Sequence, residues 1–339
     1  MALKLNQRGI LVISSFFIVI EICSSKLFYM PLGLYRDFVL EEKYGFNRQT
    51  LSLHMLDLLR ITILQILVEV PMSAAAVYII NQGGQFIHIW LWFIQLLFVI
   101  ILMRILPTFI LPMFNEFQPM PDGSLKDSIA NLAQTVGFPL SEIFIMDGSR
   151  RSSRANAFFI GSFGTKRIVL FDNLLAKEND KAVLEDDEIL AVLCHEFGHW
   201  KHRHVMKGFT YQQITILLIL TLVCSTISYT PMYKAFGFPP HLQSAIVGFF
   251  IIRGYILIPF YFLENLISKY FERAMELQAD SFAIDMNYGQ ALRSGLLKFM
   301  KNHFTFPLDD PLYSMWNFTH PSLLERIRYI DSIQKLKKE

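Results

Sequence analysis

Charged residues are scarce in this chain. Of 339 residues, only 18% are charged and 53% are hydrophobic, and the mean hydropathy is +0.37. A soluble globular chain usually carries about 25% charged residues, and a disordered chain carries fewer apolar ones. The composition therefore excludes an ordinary soluble two-domain enzyme and a disordered chain, and it predicts a membrane protein.

Neither sign of charge is in clear excess, and cysteine is rare. Lys and Arg number 31 against 29 for Asp and Glu, so no global field indicates a nucleic-acid partner. The three cysteines, Cys23, Cys194 and Cys224, lie mostly in apolar sequence and cannot form a disulfide framework. A reduced, cytosol-facing functional site fits this pattern best, and we expect no binding of nucleic acid.

Long apolar runs are the most abundant feature. A helix needs about 20 apolar residues to cross the hydrocarbon core of a bilayer. Five runs come close to this length, and the first continues without a cleavage site, so we interpret it as a span and not as a signal peptide. The runs lie near 9–33, 55–80, 86–111, 208–229 and 242–267.

The polar segments between these runs predict the domain organisation. We predict three transmembrane helices in 1–112, with a cytosolic loop near 34–54, and two more in 208–267. We expect the polar block 113–207 and the polar region 268–339 to meet and form the soluble part of the protein. Most Lys and Arg residues lie in these two polar parts, so the positive-inside rule places both of them, including the C-terminus, in the cytosol.

The module at 113–207 shows mixed periodicity. Helical spacing covers 125–136, and strand patterns cover 141–149, 156–161 and 167–172, the last two joined by a hairpin loop. Another helix begins near Asp187. The fold class is therefore an α-helical multi-spanning membrane protein, with about five transmembrane helices and a small α+β module.

The second helix of this module carries the pattern HExxH. His195 and His199 are four residues apart and share one helix face, so two imidazoles can hold one zinc ion while Glu196 faces its water. Bare HExxH also recurs by chance on surface helices. A catalytic zinc site needs a third protein ligand, which this helix must find elsewhere.

Two places in the sequence offer a third ligand. His202 and His204 do not fit the spacing of an extended HExxH motif, and we expect them to be solvated. If Glu276 is not the third metal ligand, His204 is the second choice. Glu276 and Asp280 lie one helical turn apart, just after the fifth apolar run. We predict that Glu276 binds zinc while Asp280 orients a ligand histidine. The α+β module at 113–207 is then a zinc-metalloprotease module, and the helical region at 268–339 completes its zinc site.

Six collinear segments give the chain a resemblance to the type I CAAX prenyl protease family. Members of this family are integral membrane zinc metalloproteases of the endoplasmic reticulum that process prenylated proteins. The matching segments are "LYRDFVLEEKYGFNRQTL" at 34–51, "RSSRANAFF" at 151–159, "KRIVLFDNLL" at 166–175, "LAVLCHEFGHWKHRH" at 190–204, "ELQADSFA" at 276–283 and "SMWNFTHPSLLERI" at 314–327.

The resemblance implies a role for each of eight residues. It implies one Zn²⁺ per chain, held by His195, His199 and Glu276, with Glu196 as the catalytic base and Asp280 beside the ligands. Asn156 would lie on the strand that receives the substrate backbone. His320 and Arg326 would lie near the zinc, where His320 can donate to an oxyanion and Arg326 can hold a carboxylate. Spacing alone instead favours a helix N-terminus and a surface arginine for this last pair.

The resemblance also implies seven spans around a membrane chamber, whereas this chain begins near the third of them. The chamber wall would then be incomplete, or completed by a partner helix or another copy of the chain. The expected substrate is a prenylated CaaX protein, cut before its C-terminal tripeptide, with its lipid against the apolar wall. An upstream N-terminal segment of the same protein is a second expected cleavage site. Two alternatives are a quality-control protease for membrane proteins and a catalytically silent prenyl-binding scaffold. The expected location is the endoplasmic reticulum membrane.

Overall fold

The computed structural model describes most of the chain as two compact units. The first is formed by the chain up to Leu106 together with Tyr211–Leu257, and the second by Pro107–Thr210 together with the chain from Ile258 onwards. The residues described are 7–154, 156–161, 164–175, 177–178, 181–239, 243, 245–302 and 309–337. Residues 1–6 of the predicted first domain lie outside this range.

Helices dominate both units. In chain order they are α1 (Gln7–Tyr35), α2 (Leu51–Gln82), α3 (Ile87–Ile105), α4 (Leu111–Phe114), α5 (Ser124–Val136), α6 (Asp186–Lys201), α7 (His204–Thr226), α8 (Thr230–Ala235), α9 (Ala245–Ile251), α10 (Ile258–Asp285), α11 (Gly289–Asn302), α12 (Pro311–Asn317) and α13 (Leu323–Leu336). Short π-helical turns continue α1 at Arg36–Glu41, α3 at Leu106–Ile110 and α9 at Ile252–Ile256.

The prediction of about five transmembrane helices is confirmed. Four continuous helical segments among the described residues are long and apolar enough to cross a membrane, and a broken pair of helices brings the number to five. The continuous segments are Leu11–Glu41, Leu51–Ile80, Ile87–Phe114 and His204–Thr226. The broken pair meets at Leu257, where Pro259 in the first turn of α10 has no N–H to continue the preceding helix.

Many large apolar side chains of the first unit are exposed on its surface. In the spanning segments of α1, α2 and α3 almost no residue is buried by the protein itself. Phe28 and Leu67 are among the large apolar side chains left exposed. The indole Nε1 of Trp92 on α3 donates to the carbonyl of Gln213 on α7 at 3.1 Å. Such surfaces suit a hydrocarbon environment, where lipid takes the place of water and every backbone polar group is bonded within its helix.

The second unit contains a four-stranded sheet. Its strands are β1 (Phe117–Pro119), β2 (Leu140–Met146), β3 (Ala157–Ile160) and β4 (Lys166–Phe171), in the spatial order β1-β2-β4-β3. β2 and β4 are parallel, and β3 pairs with β4 as an antiparallel hairpin. The predicted helix, strands and hairpin are present, but β3 begins at Ala157, one residue later than predicted. β1 was not predicted because three residues leave too short a pattern.

A short strand pair precedes α6, which begins at Asp186, close to the predicted start near Asp187. Lys177–Glu178 (β5) and Lys181–Ala182 (β6) form a small antiparallel pair before α6. Glu185 and Glu188 then form a capping box, in which each side chain accepts from the backbone N–H of the other residue. The buried carboxylate of Glu188 also accepts from Ser294 and Lys298 of α11. The acidic residues here therefore fix the start and the packing of α6.

The core of the second unit forms around α6. Helix α5 contributes a buried face of Ile129, Leu132, Ala133 and Val136 and ends at Gly137, whose φ of +77° favours glycine. Completely buried side chains from the sheet, α6, α11 and α13 complete this core, including Ile168, Phe197, Leu292 and Ile330. The apolar packing holds α6 along most of its length, so the polar residues of its last two turns have a fixed position.

Helix α6 packs closely against the backbone of α10 at Gly198. A Cβ at this position would lie 3.0 Å from the Cα and 3.1 Å from the carbonyl oxygen of Ala279. These are backbone atoms, so only movement of a whole helix could make room. The glycine of the HEFGH segment therefore sets the distance between the two helices that carry the predicted metal ligands.

We predict that Gly198→Ala lowers the unfolding temperature of the detergent-solubilised protein. Alanine gains about 1 kcal/mol in helix propensity, but overpacking against a backbone costs about 1–3 kcal/mol. Gly295→Ala on α11 is the matched control, because its new Cβ would lie at an ordinary 3.6 Å from Glu188. That variant is expected to melt at the wild-type temperature or above it. Equal melting temperatures for Gly198→Ala and Gly295→Ala would refute the close-packing argument.

Candidate functional site

Helices α6 and α10 bring the predicted metal ligands together. His195 Nε2 lies 3.1 Å from His199 Nε2 and 3.5 Å from Glu276 Oε2, and His199 Nε2 lies 3.3 Å from Glu276 Oε1. These three residues are the group within the described chain that could hold a metal ion, since their donor atoms all lie within 4.8 Å of one another. Glu276 lies 77 residues after His199 in the sequence, so two distant segments of the chain meet at this site.

The donor set fits a tetrahedral zinc ion. Zinc binds nitrogen and oxygen at about 2.0–2.2 Å, so two tetrahedral donors should be about 3.3–3.6 Å apart. The two Nε2 atoms are 3.1 Å apart, and the Glu276 oxygen in contact is Oε2 for His195, at 3.5 Å, and Oε1 for His199, at 3.3 Å. These separations are close to this range, and with one oxygen of Glu276 serving as the ligand all three donor atoms lie within 4.8 Å of one another. Two imidazoles and one carboxylate also leave the fourth position open, as a catalytic site requires.

Asp280 and Arg326 fix the orientation of His195. His195 Nδ1 lies 2.9 Å from Asp280 Oδ1, and Arg326 donates to both oxygens of the same carboxylate at 2.6 and 2.9 Å. With Nδ1–H donating to Asp280, the Nε2 lone pair of His195 faces Glu276 and His199. Burial alone would lower the pKa of His195, but hydrogen bonds with Asp280 and Glu276 outweigh it and raise the pKa to about 9. A metal ion must therefore displace a proton from His195.

Arg326 is buried, contrary to the surface position that its spacing favoured. It is only 8% exposed, and the carboxylate that it binds is Asp280 of this chain. Its guanidinium also lies 3.8 Å from Glu276. Nothing in the local pattern of α13 signals this, because the partner carboxylate is 46 residues earlier on another helix.

Glu196 points into a cleft beside the ligands. The cleft has a volume of about 310 Å³, and Glu196, His199, Glu276 and Asn156 contribute to its walls. Burial raises the pKa of Glu196, although the nearby His195 and His199 act in the opposite direction. A carboxylate with a raised pKa is a better proton acceptor at neutral pH than an ordinary surface glutamate.

His320 lies at the exposed side of the same cleft. Its side chain is 63% exposed, and its Nε2 is 3.3 Å from Glu276 Oε1. Its Nδ1 is 2.8 Å from the hydroxyl of Thr319. The predicted helix N-terminus is also present, with Ser322 as the N-cap of α13. This short turn presents His320 to the cleft and starts the helix that carries Arg326.

Asn156 lies where the sheet meets the cleft. It is exposed and directly precedes β3, its carbonyl accepts from Phe171 N–H at 3.0 Å, and its own Oδ1 accepts from Ala157 N–H at 2.8 Å. β3 is the outer strand of the described sheet, and Ala157 also lines the cleft. The sheet thus presents a strand edge next to the metal ligands.

The expectation that His204 is solvated is wrong. His204 is buried, its Nδ1 lies 2.9 Å from His199 Nδ1, and its Nε2 lies 2.9 Å from Gln278 Oε1. It is therefore a neighbour of a ligand, on the side away from Glu276. The sequence pattern predicts no role for Gln278, and the only local signal for one is its position between Glu276 and Asp280. His202 is partly exposed and stacks on the His204 ring.

Comparisons with known proteins agree with this geometry. The family model for peptidase family M48 matches residues 119–334, and a model described as the CAAX prenyl protease N-terminal region, with five membrane helices, matches residues 2–116. Proteins named CAAX prenyl protease 1 or its homolog are similar over most of the chain. The Arabidopsis thaliana protein is 38% identical over 90% of this chain and 70% of its own length, and the Saccharomyces cerevisiae protein is 38% identical over 93% and 71%.

A solved structure is similar as well. The crystal structure of S. mikatae Ste24p matches with a TM-score of 0.84 and 35% identity, covering 94% of this chain and 75% of that one. Together the two family models span nearly the whole chain, including its membrane helices and the three residues that could hold a metal ion. The chain therefore belongs to peptidase family M48 and is an integral membrane metalloendopeptidase.

Proposed function

We propose that this protein is a zinc-dependent endopeptidase that removes the C-terminal tripeptide of prenylated CaaX proteins. The observation that carries the proposal is the group of His195, His199 and Glu276 beside Glu196, in a cleft bordered by an outer strand. The names of the relatives, CAAX prenyl protease 1 and its homologs, support the substrate class. Zinc is the proposed metal because its distances and ligand preference match the donor set. Cleavage at an upstream segment of the same substrate is a further possibility of this site.

The substrate backbone is proposed to bind along β3 by strand addition. An extended peptide can pair with an exposed strand edge through main-chain hydrogen bonds, whatever its sequence. Asn156 and Ala157 are at the end of β3 that borders the cleft with Glu196. A peptide paired with this end of β3 would enter the cleft that Glu196 and His320 also line.

Each polar residue of the cleft has a proposed part in hydrolysis. A bound zinc ion would polarise the scissile carbonyl and make its water more acidic. Glu196 accepts the proton from that water and can pass it to the leaving amine. His320, 3.3 Å from the ligand Glu276, can donate to the developing oxyanion. Arg326 and Asp280 keep His195 oriented and do not contact the substrate in this scheme.

The membrane is the proposed source of the substrate. Prenylated proteins are held at membranes by their lipid, and the apolar surfaces of the first unit are compatible with a lipid chain. We propose the endoplasmic reticulum membrane as the location, with the site and the C-terminus in the cytosol, because most Lys and Arg residues lie in the polar segments. A helix partner or a second copy of the chain stays a prediction.

A pair of peptides tests the substrate class. We expect the purified protein to cleave a farnesylated CaaX peptide at least tenfold faster than the same peptide without the lipid, when release of the C-terminal tripeptide is measured by mass spectrometry. Equal cleavage of both peptides, together with cleavage of unfolded membrane proteins, would indicate a quality-control protease instead. Zinc binding without cleavage of any peptide would indicate a prenyl-binding scaffold.

The same substitution at two glutamates separates catalysis from metal binding. Glu196→Gln is expected to keep one zinc per chain but to lower kcat by about 10²–10⁴-fold, because it removes the proton acceptor and no ligand. Glu276→Gln is expected to lose zinc to a mild chelator, since an amide is a poorer zinc ligand than a carboxylate. Metal content and peptide cleavage are measured on both. Wild-type cleavage by Glu196→Gln, or stoichiometric zinc in chelated Glu276→Gln, would contradict the assignment.

A further inference from the structure

The second ligand histidine has its own hydrogen-bonded partner. His199 Nδ1 and His204 Nδ1 are 2.9 Å apart, and His204 Nε2 is 2.9 Å from Gln278 Oε1. His204 is only 4% exposed, so water does not compete strongly for these contacts. The three residues form a hydrogen-bonded series. It leads from Gln278 on α10, through His204 at the start of α7, to Nδ1 of His199 on α6.

The chemistry of the three groups allows one consistent direction of donation in this hydrogen-bonded series. The Gln278 oxygen only accepts, so His204 carries its proton on Nε2 and has a lone pair on Nδ1. His199 must then carry its proton on Nδ1 and donate it to His204. This leaves the lone pair of His199 Nε2 directed at His195 and Glu276, where a metal needs it. The opposite direction would put a proton on His199 Nε2 and block that position.

A break in the helix makes the contact possible. Residues 199 and 204 would point about 140° apart on a continuous α-helix and could not touch. Helix α6 ends at Lys201, Arg203 has a φ of +56°, and α7 begins at His204. A left-handed arginine is a strained conformation that the surrounding structure must hold in place. Its effect here is to turn the His204 ring back onto His199.

The two ligand histidines are therefore supported in parallel ways. Asp280 accepts from Nδ1 of His195 and is itself held by Arg326, and His204 faces Nδ1 of His199 and is itself held by Gln278. Asp280 and Gln278 are both on α10, within four residues of the ligand Glu276. One helix thus provides the third ligand and anchors the partners of the other two.

We propose that His204 is a positioning residue for the metal site, which accepts the Nδ1–H of His199 and fixes the tautomer and orientation of that ligand. The proposal rests on the metal site described above. Removing a hydrogen-bond partner of this kind usually lowers the metal affinity by about 10–100-fold. His204 therefore does not serve as an alternative third ligand, since its nitrogens are occupied by His199 and Gln278.

Two side chains of nearly the same shape test the proposal. In His204→Asn, the amide oxygen takes the approximate position of Nδ1 and can still accept from His199, whereas His204→Leu fills the same space without an acceptor. We expect His204→Leu to weaken zinc binding by about 10–100-fold and His204→Asn by about threefold or less. Affinity is measured on the full-length, metal-stripped protein in detergent by competition with a chromogenic chelator. The visible spectrum of the cobalt-substituted protein reports the ligand geometry, which a general loss of stability would not alter.

Further variants keep the test decisive if His204→Leu does not fold. Gln278→Glu retains an acceptor for His204 and should bind zinc like the wild type, while Gln278→Leu should bind more weakly. His202→Asn changes the neighbouring histidine and is expected to have no effect. Equal zinc affinities for His204→Leu and His204→Asn, or for the two Gln278 variants, would overturn the proposal. Failure of the wild-type protein to bind zinc would instead refute the proposed function.

Discussion

A completely buried carboxylate, Asp280, is the point on which the site depends. It lies on α10 and accepts from His195 on α6 and from Nε and Nη2 of Arg326 on α13. Removing Arg326 would leave this buried carboxylate without its permanently charged partner, and breaking a buried ion pair in this way costs about 3–5 kcal/mol. The same interaction thus joins three helices and sets the tautomer of one ligand. Stability of the second unit and geometry of the metal site are consequently difficult to change independently.

The charges around the site are arranged for a cation. Glu196, Glu276 and Asp280 converge within a few ångströms of His195, and Arg326 supplies the one fixed positive charge in contact with them among the described residues. Arg326 and a proton on His195, whose pKa is raised to about 9, offset two of these three carboxylates. In the proposed metal-bound site a divalent cation would take the place of that proton, and His195 and His199 would be neutral ligands.

The sequence predicts those parts of the site that depend on local spacing. HExxH and the Glu276–Asp280 pair are each readable on one helix, and the apolar runs predict the spans. Their meeting in space follows only from the resemblance to a family, because 77 residues and two apolar runs separate His199 from Glu276. Arg326 and His204 show the limit most clearly. Spacing suggested an exposed residue in both cases, and both are buried because of contacts with α10.

The fold also explains why a glycine and a strained arginine occur in the metal-binding segment. Gly198 allows α6 to approach the backbone of α10, and Arg203 ends α6 so that the chain turns back toward His199. Neither residue contacts the cleft as a catalytic group would. They affect where the proposed ligands lie. Their importance depends on the packing of α6 against α10, which the local sequence does not show.

X-ray absorption at the zinc edge of the zinc-loaded full-length protein tests the central claim most directly. The account predicts a four-coordinate shell of nitrogen and oxygen at about 2.0–2.2 Å, with outer-shell scattering from two imidazoles. One imidazole or three, or a sulfur at about 2.3 Å, would contradict the assignment of His195, His199 and Glu276 as the protein ligands of the metal.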